Sequence, residues 1–230
     1  MDESLLITHY NKDYSHLLAD VLRFYGSVAP ATLQRASQLR ITSLDGTEGT
    51  VVVTFNVPEM PLPIDKVILL PKEETKSSSG GSSTPAASAA RRLDAMLLSA
   101  AAQSGRSVIQ VSTCLAPSTI ADLLVLLAVP LPLLCYFYRP LLYYLPLVGS
   151  ILAPYLDNDK VLLLITAAEL LCHATEAAVF LCPVLWHYRV PADMQVEWYF
   201  WSLLEGYSPV RRMHAYAQPR EARALANLRH

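Results

Sequence analysis

The chain has 230 residues, of which 53% are hydrophobic and only 17% are charged, with a formal net charge of −2. Ordinary soluble domains carry about 25% charged residues, so this composition indicates that part of the chain lies outside water. The near-neutral charge argues against nucleic-acid binding, which needs a clustered basic face. Eight glycines are too few to favour the glycine-rich loops of dinucleotide-binding proteins.

The first seventy residues carry the pattern of a small α+β domain. Apolar residues recur at helical spacing over residues 4–25. A second short helix is predicted from Pro30 to Leu39, because proline favours the first turn of a helix. Residues 39–44 alternate and residues 50–57 form a β-branched run, which together predict two strands joined by an Asp-Gly turn. The three prolines that follow predict the end of the sheet.

A low-complexity stretch interrupts this domain. Residues 72–89 are rich in Ser, Gly, Ala and Lys, a composition typical of flexible chain. The helical pattern resumes from Arg91 to Ala102, and residues 107–115 favour a strand. The sequence therefore predicts an α+β soluble domain over residues 4–115, with a disordered insertion at about 72–89.

The next hundred residues are poor in charge and predict an all-α membrane module over residues 116–217. Two apolar runs, 119–137 and 161–186, approach or exceed the roughly 20 residues that a helix needs to cross a bilayer. Residues 140–156 are apolar but interrupted by proline and glycine, which indicates a short interfacial or re-entrant element. Residues 192–208 are apolar and aromatic between acidic flanks, so they form either a third crossing or a helix lying in the interface.

Basic residues around the predicted spans indicate their orientation. Arg91, Arg92 and Arg106 precede the first span, and a basic tail at 218–230 ends the chain. Two crossings place both groups on one side, and the positive-inside rule makes that side the cytosol. The N-terminus lacks the basic and apolar regions of a secretory signal, so the first span is expected to direct insertion. We expect an integral protein of an intracellular membrane such as the endoplasmic reticulum.

The front half resembles a known family. The segment Thr8-His9-Tyr10-Asn11-Lys12-Asp13-Tyr14 is similar to the H-M-N-x-D-H opening of the domain of unknown function 2470, with Tyr14 in place of the second histidine. The resemblance continues through Ile41 to Gly46, through Ala90 to Met96 and at Gly105 to Ile109. That domain occurs in haem-iron-utilisation proteins and in the plant glutamyl-tRNA reductase-binding protein. The resemblance implies a protein partner and a link to haem or tetrapyrrole handling.

The back half resembles the transmembrane protein 254 family. The similar residues are Leu145 to Gly149, Tyr155-Leu156-Asp157, His173-Ala174-Thr175-Glu176, and Trp198-Tyr199-Phe200 followed by Gly206. In that family the last segment is transmembrane. The resemblance implies no established activity.

A polar stripe in the second predicted span is the sharpest candidate for a ligand site. Glu169, His173 and Glu176 lie at offsets of four and seven, which place them within about 60° on one helix face. Ionisable groups inside a membrane usually pair, face protein or line a polar path. The stripe is therefore either a proton, metal or ligand site, or a set of interhelical hydrogen bonds. One helix cannot complete a metal shell, so no metal is predicted.

Polar residues on the first helix form a second candidate. His9, Asn11 and Asp13 could contact a partner protein, or they could be solvated and packed groups without that role. No catalytic motif is visible in the sequence, and no cofactor is expected. The expected function is a membrane-tethered, non-enzymatic binding or adaptor protein whose partners are the lipid bilayer and a protein, not nucleic acid. The alternative is a small membrane enzyme or carrier that uses the Glu/His/Glu stripe.

Overall fold

The structure, a computed structural model, describes residues 2–71, 84–145 and 152–229. The chain divides into two compact units, the first comprising Met1–Gln110 with Pro219–His230 and the second comprising Val111–Gln218. The last twelve residues thus belong with the N-terminal part of the chain.

The first unit is α+β, as the sequence predicts. Its described strands form an antiparallel sheet in the order β1-β2-β3. Its elements are α1 (Glu3–Asp13), a 3-10 turn (Ser15–Leu17), α2 (Leu18–Phe24), α3 (Pro30–Arg35), β1 (Ser37–Asp45), β2 (Thr50–Asn56), β3 (Ile64–Leu69) and α4 (Pro85–Ser104).

The core of this unit lies between the sheet and its helices. Val51, Val53 and Phe55 alternate along β2 and are almost fully buried, because side chains two residues apart share one face of a strand. They pack in one cluster with buried side chains of α2 and α4, including Leu18 and Leu93. This clustering explains the helical and alternating periods in the sequence.

The predicted helices of this unit have different bounds in the structure. The helix predicted over 4–25 is interrupted at Tyr14, where the backbone leaves the helical region. The interruption lets the side chains of both α1 and α2 reach the same core. The helix predicted from Pro30 to Leu39 ends at Arg35, because β1 begins at Ser37.

The sheet is larger than predicted. The prolines after β2 occupy a connection, and Ile64–Leu69 returns antiparallel to β2 with Val51 opposite Ile68. Residues 72–83 of the predicted insertion lie outside the described residues. Residues 84–89 are not flexible chain, because Thr84 caps α4 by accepting a hydrogen bond from the amide of Ala87, and Pro85 occupies the first turn.

The strand predicted at 107–115 is absent from that described stretch. Val108 is buried in the first core, and the amide of Val111 donates to the carbonyl of Tyr188 at 3.0 Å. Val108 is thus buried and the Val111 amide is hydrogen-bonded without a partner strand.

The second unit is helical. Its described elements are α5 (Ile120–Ala128), α6 (Leu131–Phe137), α7 (Pro140–Tyr144), α8 (Ala153–Leu156), α9 (Asp159–Glu176), a π-helical turn (Ala177–Leu181), α10 (Cys182–His187), α11 (Ala192–Glu205) and α12 (Ser208–Asn227), the last of which continues into the first unit.

Among the described residues, two helical stretches are long and apolar enough to cross a membrane, Ile120–Phe137 and Asp159–His187. The first is interrupted at Pro130 between α5 and α6, and the second contains the π-helical turn. The interrupted segment predicted at 140–156 contains the short helices α7 and α8, with residues 146–151 outside the described part. The region predicted at 192–208 is the helix α11.

The basic tail predicted at 218–230 is not a separate segment. Helix α12 continues through it to Asn227, and Leu228 is buried in the core of the first unit. Ser107 also donates a 2.6 Å hydrogen bond to Glu221. The apolar residues between the arginines account for this packing.

Candidate functional site

Helix α11 carries a buried face that ends in a charged residue. Trp198, Ser202 and Glu205 are spaced by four and three residues, so they lie on one side of the helix, and all three are buried. The chain then turns at Gly206, whose φ of +63° lies in the region that glycine adopts most easily. The Ser202 hydroxyl donates to the Gly206 carbonyl at 3.1 Å. The turn thereby brings the start of α12 back beside Glu205.

Arg212 on α12 satisfies the carboxylate of Glu205. Its Nη1 contacts Oε2, and its Nη2 donates to Oε1 at 3.3 Å. The Nε of Arg212 donates to the carbonyl of Leu115 at 3.2 Å. Both side chains are more than 90% buried. Burying an unpaired charge costs several kcal/mol, so this bidentate geometry is what permits Glu205 and Arg212 inside the unit.

Asp122 adds a third charged element at the start of α5. Its carboxylate and the hydroxyl of Thr119 cap the helix reciprocally, with the Asp122 amide donating to Thr119 Oγ1 at 3.1 Å. Arg211 Nη2 donates to Oδ1 of Asp122 at 3.1 Å, and Arg212 Nη1 lies 3.8 Å from Oδ2. Asp122, Glu205, Arg211 and Arg212 are called the arginine cluster below.

The arginine cluster is electrically balanced, with two carboxylates and two guanidinium groups. The sequence alone did not reveal it, because Asp122 is a lone acidic residue in an apolar run and Arg211 and Arg212 lie far along the chain from it. The usable signal was an acidic residue at a capping position in an apolar segment, together with Glu205 and an arginine seven residues later. Such acidic groups need a cationic partner when they are buried.

The polar stripe meets the same turn of α11. Nδ1 of His173 lies 2.9 Å from the carbonyl of Leu203, and because a carbonyl only accepts, Nδ1 carries the hydrogen. A Cβ atom built on Gly206 would lie 2.5 Å from Oε2 of Glu176 and 3.1 Å from Nε2 of His173. His173 and Glu176 therefore pack against backbone at the Leu203–Gly206 end of α11.

Glu169, the third member of the stripe, is placed differently. Its Oε2 is buried and has no hydrogen-bond partner among the described residues. A shallow groove on the exposed side of α9 and the π-helical turn is lined mainly by apolar side chains, with Glu176 as its charged member. The structure thus brings His173 and Glu176 to one turn and leaves one oxygen of Glu169 available.

The candidate partner-binding residues of α1 separate into two roles. Asn11 is committed to the sheet, because its Nδ2 donates to the Ile41 carbonyl at 2.8 Å and its Oδ1 accepts from the Ile41 amide at 2.6 Å. His9 and Asp13 form a 2.8 Å pair, and both side chains are about half exposed. His9 and Asp13 remain accessible to a partner. The Asn11 side chain instead forms with the Ile41 backbone the two hydrogen bonds that a neighbouring strand would form.

A tyrosine–carboxylate pair lies beneath these residues. The hydroxyl of Tyr10 donates to Oδ1 of Asp94 on α4 at 2.7 Å. Burial raises the pKa of Asp94 to about 6, although the hydrogen bond from Tyr10 acts in the opposite direction. Burial also raises the pKa of Tyr14, whose ring lies 5.5 Å from that of His9. This group ties α1 to α4.

The described residues give little support for a metal site or a nucleophilic cysteine. No group of three or more His, Cys, Asp or Glu side chains among them could hold a metal ion. Burial raises the pKa of the Cys114 thiol to about 11, so it is a poor nucleophile at neutral pH.

The geometry defines a class of protein with an α+β unit and a helical unit that holds paired charges among long apolar helices. The model of the YDR476C-like C-terminal domain matches residues 119–219. The protein of Saccharomyces cerevisiae named "Uncharacterized protein YDR476C" is 36% identical over 218 residues, which cover 93% of this chain and 95% of that protein. The chain belongs to the YDR476C-like family. No solved structure matches the chain significantly.

This membership corrects both resemblances drawn from the sequence. One relative aligns across both halves, so the chain is not a joining of the domain of unknown function 2470 with the transmembrane protein 254 family. The C-terminal assignment is replaced by the family domain over 119–219. The similar short motifs consist of common helix and turn residues, which many unrelated families share. The link to haem or tetrapyrrole handling rested on that resemblance alone and has no support.

Proposed function

We propose that this protein is a membrane-anchored, non-enzymatic binding or adaptor protein. The second unit is the anchor, and the first unit presents a surface for a protein partner in the cytosol. The observation that carries the proposal is the exposure of the two long apolar helical stretches, because only 11% of an apolar 18-residue segment in each is buried. The core helix of a soluble protein is mostly buried, whereas a helix that faces lipid exposes its apolar side chains.

The charged groups of the second unit fit an anchor. Arg211 and Arg212 together balance the charges of Asp122 and Glu205, so each charge has a partner within the unit. Such pairing is the usual state of charged groups near or within a bilayer. The arrangement favours a structural role for the arginine cluster, which joins α5, α11 and α12.

The anchor is tested by membrane extraction and the topology by tags. In microsomes, the full chain should resist alkaline carbonate and be released by detergent. Two crossings place both termini in the cytosol, so tags at either end should be digested by added protease without detergent. Glycosylation acceptors on those tags should remain unmodified. Release by carbonate would contradict the anchor, and glycosylation of either tag would contradict the topology. We expect the membrane to be intracellular, such as that of the endoplasmic reticulum.

The partner surface is placed at His9 and Asp13, which are exposed on α1. A photoreactive amino acid at either position should yield a discrete crosslinked protein in cells. The control position is Glu48, which is exposed in the β1–β2 turn. The same crosslinked species at all three positions would argue against a specific surface at α1.

A second candidate function is a proton or small-ligand site at the polar stripe. The specific observation in its favour is Oε2 of Glu169, a buried carboxyl oxygen with no partner in the described part of the chain. A buried group without a hydrogen bond is costly, so its retention requires a reason, and use by a ligand or a proton is one.

Two variants separate this candidate from the anchor. Glu169→Leu removes the orphaned oxygen, and His173→Leu removes the hydrogen bond to Leu203. If the stripe only joins helices, His173→Leu should lose about 0.5–2 kcal/mol of helix association, and Glu169→Leu should be neutral or stabilising. If the stripe binds a ligand, both variants should fold while cellular activity is lost. Unchanged activity in both folded variants would exclude the second candidate.

A further inference from the structure

Two short helices lie in the chain between the long apolar stretches. Helices α7 and α8 share a small core with the end of α6 and the start of α9, formed by Cys135, Leu142, Ala153 and Leu162. All four side chains are at most 2% exposed. The described residues around this core therefore form a packed end of the helical unit.

The outer surface of this end is aromatic. Phe137, Tyr138, Tyr144 and Tyr155 are each more than 60% exposed, with Tyr144 at 80% and Tyr155 at 77%. These four side chains are called the aromatic surface below. Tyrosine combines an apolar ring with a polar hydroxyl and is enriched at the boundary between headgroups and acyl chains. Large exposed rings in water would instead be an aggregation hazard.

The charges at this end are neutralised nearby. Arg139 lies 3.3 Å from Asp157 through Nε and contacts Asp159 through Nη2. The hydroxyl of Tyr143 donates to Asp157, and this hydrogen bond raises the pKa of Tyr143. With Lys160, the segment carries two positive and two negative groups. The aromatic surface therefore faces outward beside a balanced charge cluster, which does not select for anionic lipid.

We propose that the aromatic surface binds the headgroup–acyl boundary of the leaflet that is reached by the end of α6 and the start of α9. This inference rests on the proposed membrane anchor and deepens it. The occupant is lipid because the surface is continuous with the two apolar stretches, beginning at the last residue of one and ending four residues before the first residue of the other. Helices α7 and α8 thus lie in the bilayer surface as a third contact with lipid.

The test uses the full chain in phosphatidylcholine vesicles, with its cysteines replaced and one cysteine reintroduced for an environment-sensitive fluorophore. The positions are Tyr144→Cys and Tyr155→Cys, with Leu127→Cys on α5 as the deep control and Glu48→Cys as the water control. Both aromatic positions should be several-fold less quenched by iodide than the Glu48 position. They should be quenched most by a nitroxide at a shallow lipid depth, and Leu127 by a deep one.

The outcomes separate this inference from the anchor itself. Iodide quenching at Tyr144 and Tyr155 equal to that at Glu48, with Leu127 protected, would overturn the inference and leave the anchor standing. Quenching at Leu127 as well would overturn both. Protection that disappears when the protein is diluted in lipid would assign the surface to a second copy and overturn lipid as the occupant.

A measurement on the unmodified chain covers the case in which the cysteine replacements do not fold. Phosphatidylcholine with a diazirine near the headgroup should label peptides that contain Tyr144 or Tyr155. The peptide that contains Glu48 should remain unlabelled. Absence of label on both aromatic peptides, with label elsewhere on the second unit, would overturn the inference.

Discussion

Arg212 and Glu205 form a buried bidentate ion pair across the turn that separates α11 from α12. Nη1 of Arg212 contacts Oε2 of Glu205, while Nη2 donates to Oε1 at 3.3 Å. Arg212 is 8% exposed and the neighbouring Arg211 is 61% exposed. Two consecutive arginines thus occupy different dielectric environments, and this difference gives a matched pair of variants.

Replacing Arg212 by Met should destabilise the second unit strongly. The variant leaves Glu205 buried without its partner, and breaking a buried pair from one side costs about 3–5 kcal/mol. Arg211→Met should cost clearly less, because that side chain is largely solvated and Asp122 keeps Arg212 and its cap to Thr119. Thermal unfolding of the full chain in detergent measures the difference. Equal losses in the two variants would contradict the structural role of Arg212.

The double variant Glu205→Met with Arg212→Met tests whether the loss comes from the unpaired charge. Replacing both members of a buried pair by apolar side chains of similar size is often neutral or stabilising. The double variant should therefore be more stable than Arg212→Met alone. A double variant that is no more stable than Arg212→Met would mean that the loss does not come from the unpaired carboxylate, and that the arginine supports the fold mainly through Asp122 and Leu115.

Replacing Asn11 by Ala should destabilise the first unit. The side chain makes two hydrogen bonds to the backbone of Ile41, and their loss leaves a partly buried donor and acceptor unpaired. The expected cost is about 1–3 kcal/mol. Asp13→Ala is the control, because its exposed pair with His9 should contribute about 0–1 kcal/mol. Thermal unfolding decides the matter, and a larger loss in the control would refute the strand-like role of Asn11.

The stability of the first unit should depend on the titration of Asp94. Its pKa is raised from 3.8 to about 6 in the folded state, so folding favours the protonated carboxyl. That contribution is fully present below pH 3.8 and is lost as the pH rises through 6. Allowing for partial solvent screening, the change should be about 1–2 kcal/mol.

Asp94→Asn removes this titration and keeps an acceptor for Tyr10. The stability of the variant relative to the natural chain should rise between pH 4 and pH 6 and then remain constant. Melting temperatures of both proteins across that range give the comparison. A difference that does not vary with pH would show that the carboxyl titrates normally.

Much of the secondary structure of the first unit could be predicted from the sequence, because the spacing of its apolar residues matches the pattern of buried side chains. Val51, Val53 and Phe55 alternate in the sequence and are buried in β2. The strand Ile64–Leu69 was not predicted, because a short run with an Asp-Lys pair near its start, after three prolines, has no clear alternation. Its place depends on pairing with β2, which is a long-range contact that local propensity does not encode.

The candidate site could be predicted from the sequence only in part. Helical spacing placed His173 and Glu176 on one face, and the structure has both at the same turn of α11. The partners of Asp122 lie 89 and 90 residues further along the chain, at Arg211 and Arg212. Charge in a sequence shows that a partner is needed, but only the packing of helices identifies it.

Gly206 should be intolerant of a side chain. Its φ of +63° with ψ of −120° is unfavourable for an L-residue, and a Cβ would lie 2.5 Å from Oε2 of Glu176. Gly206→Ala should therefore lose about 1–3 kcal/mol from backbone strain, and more from the contact. In a Glu176→Ala background the contact with the carboxylate is gone, so the same glycine substitution should cost less but still be destabilising. The four proteins form a thermodynamic cycle whose melting temperatures give the coupling between Gly206 and Glu176. A coupling of zero would mean that Glu176 moves aside freely and that the polar stripe is not held against the turn.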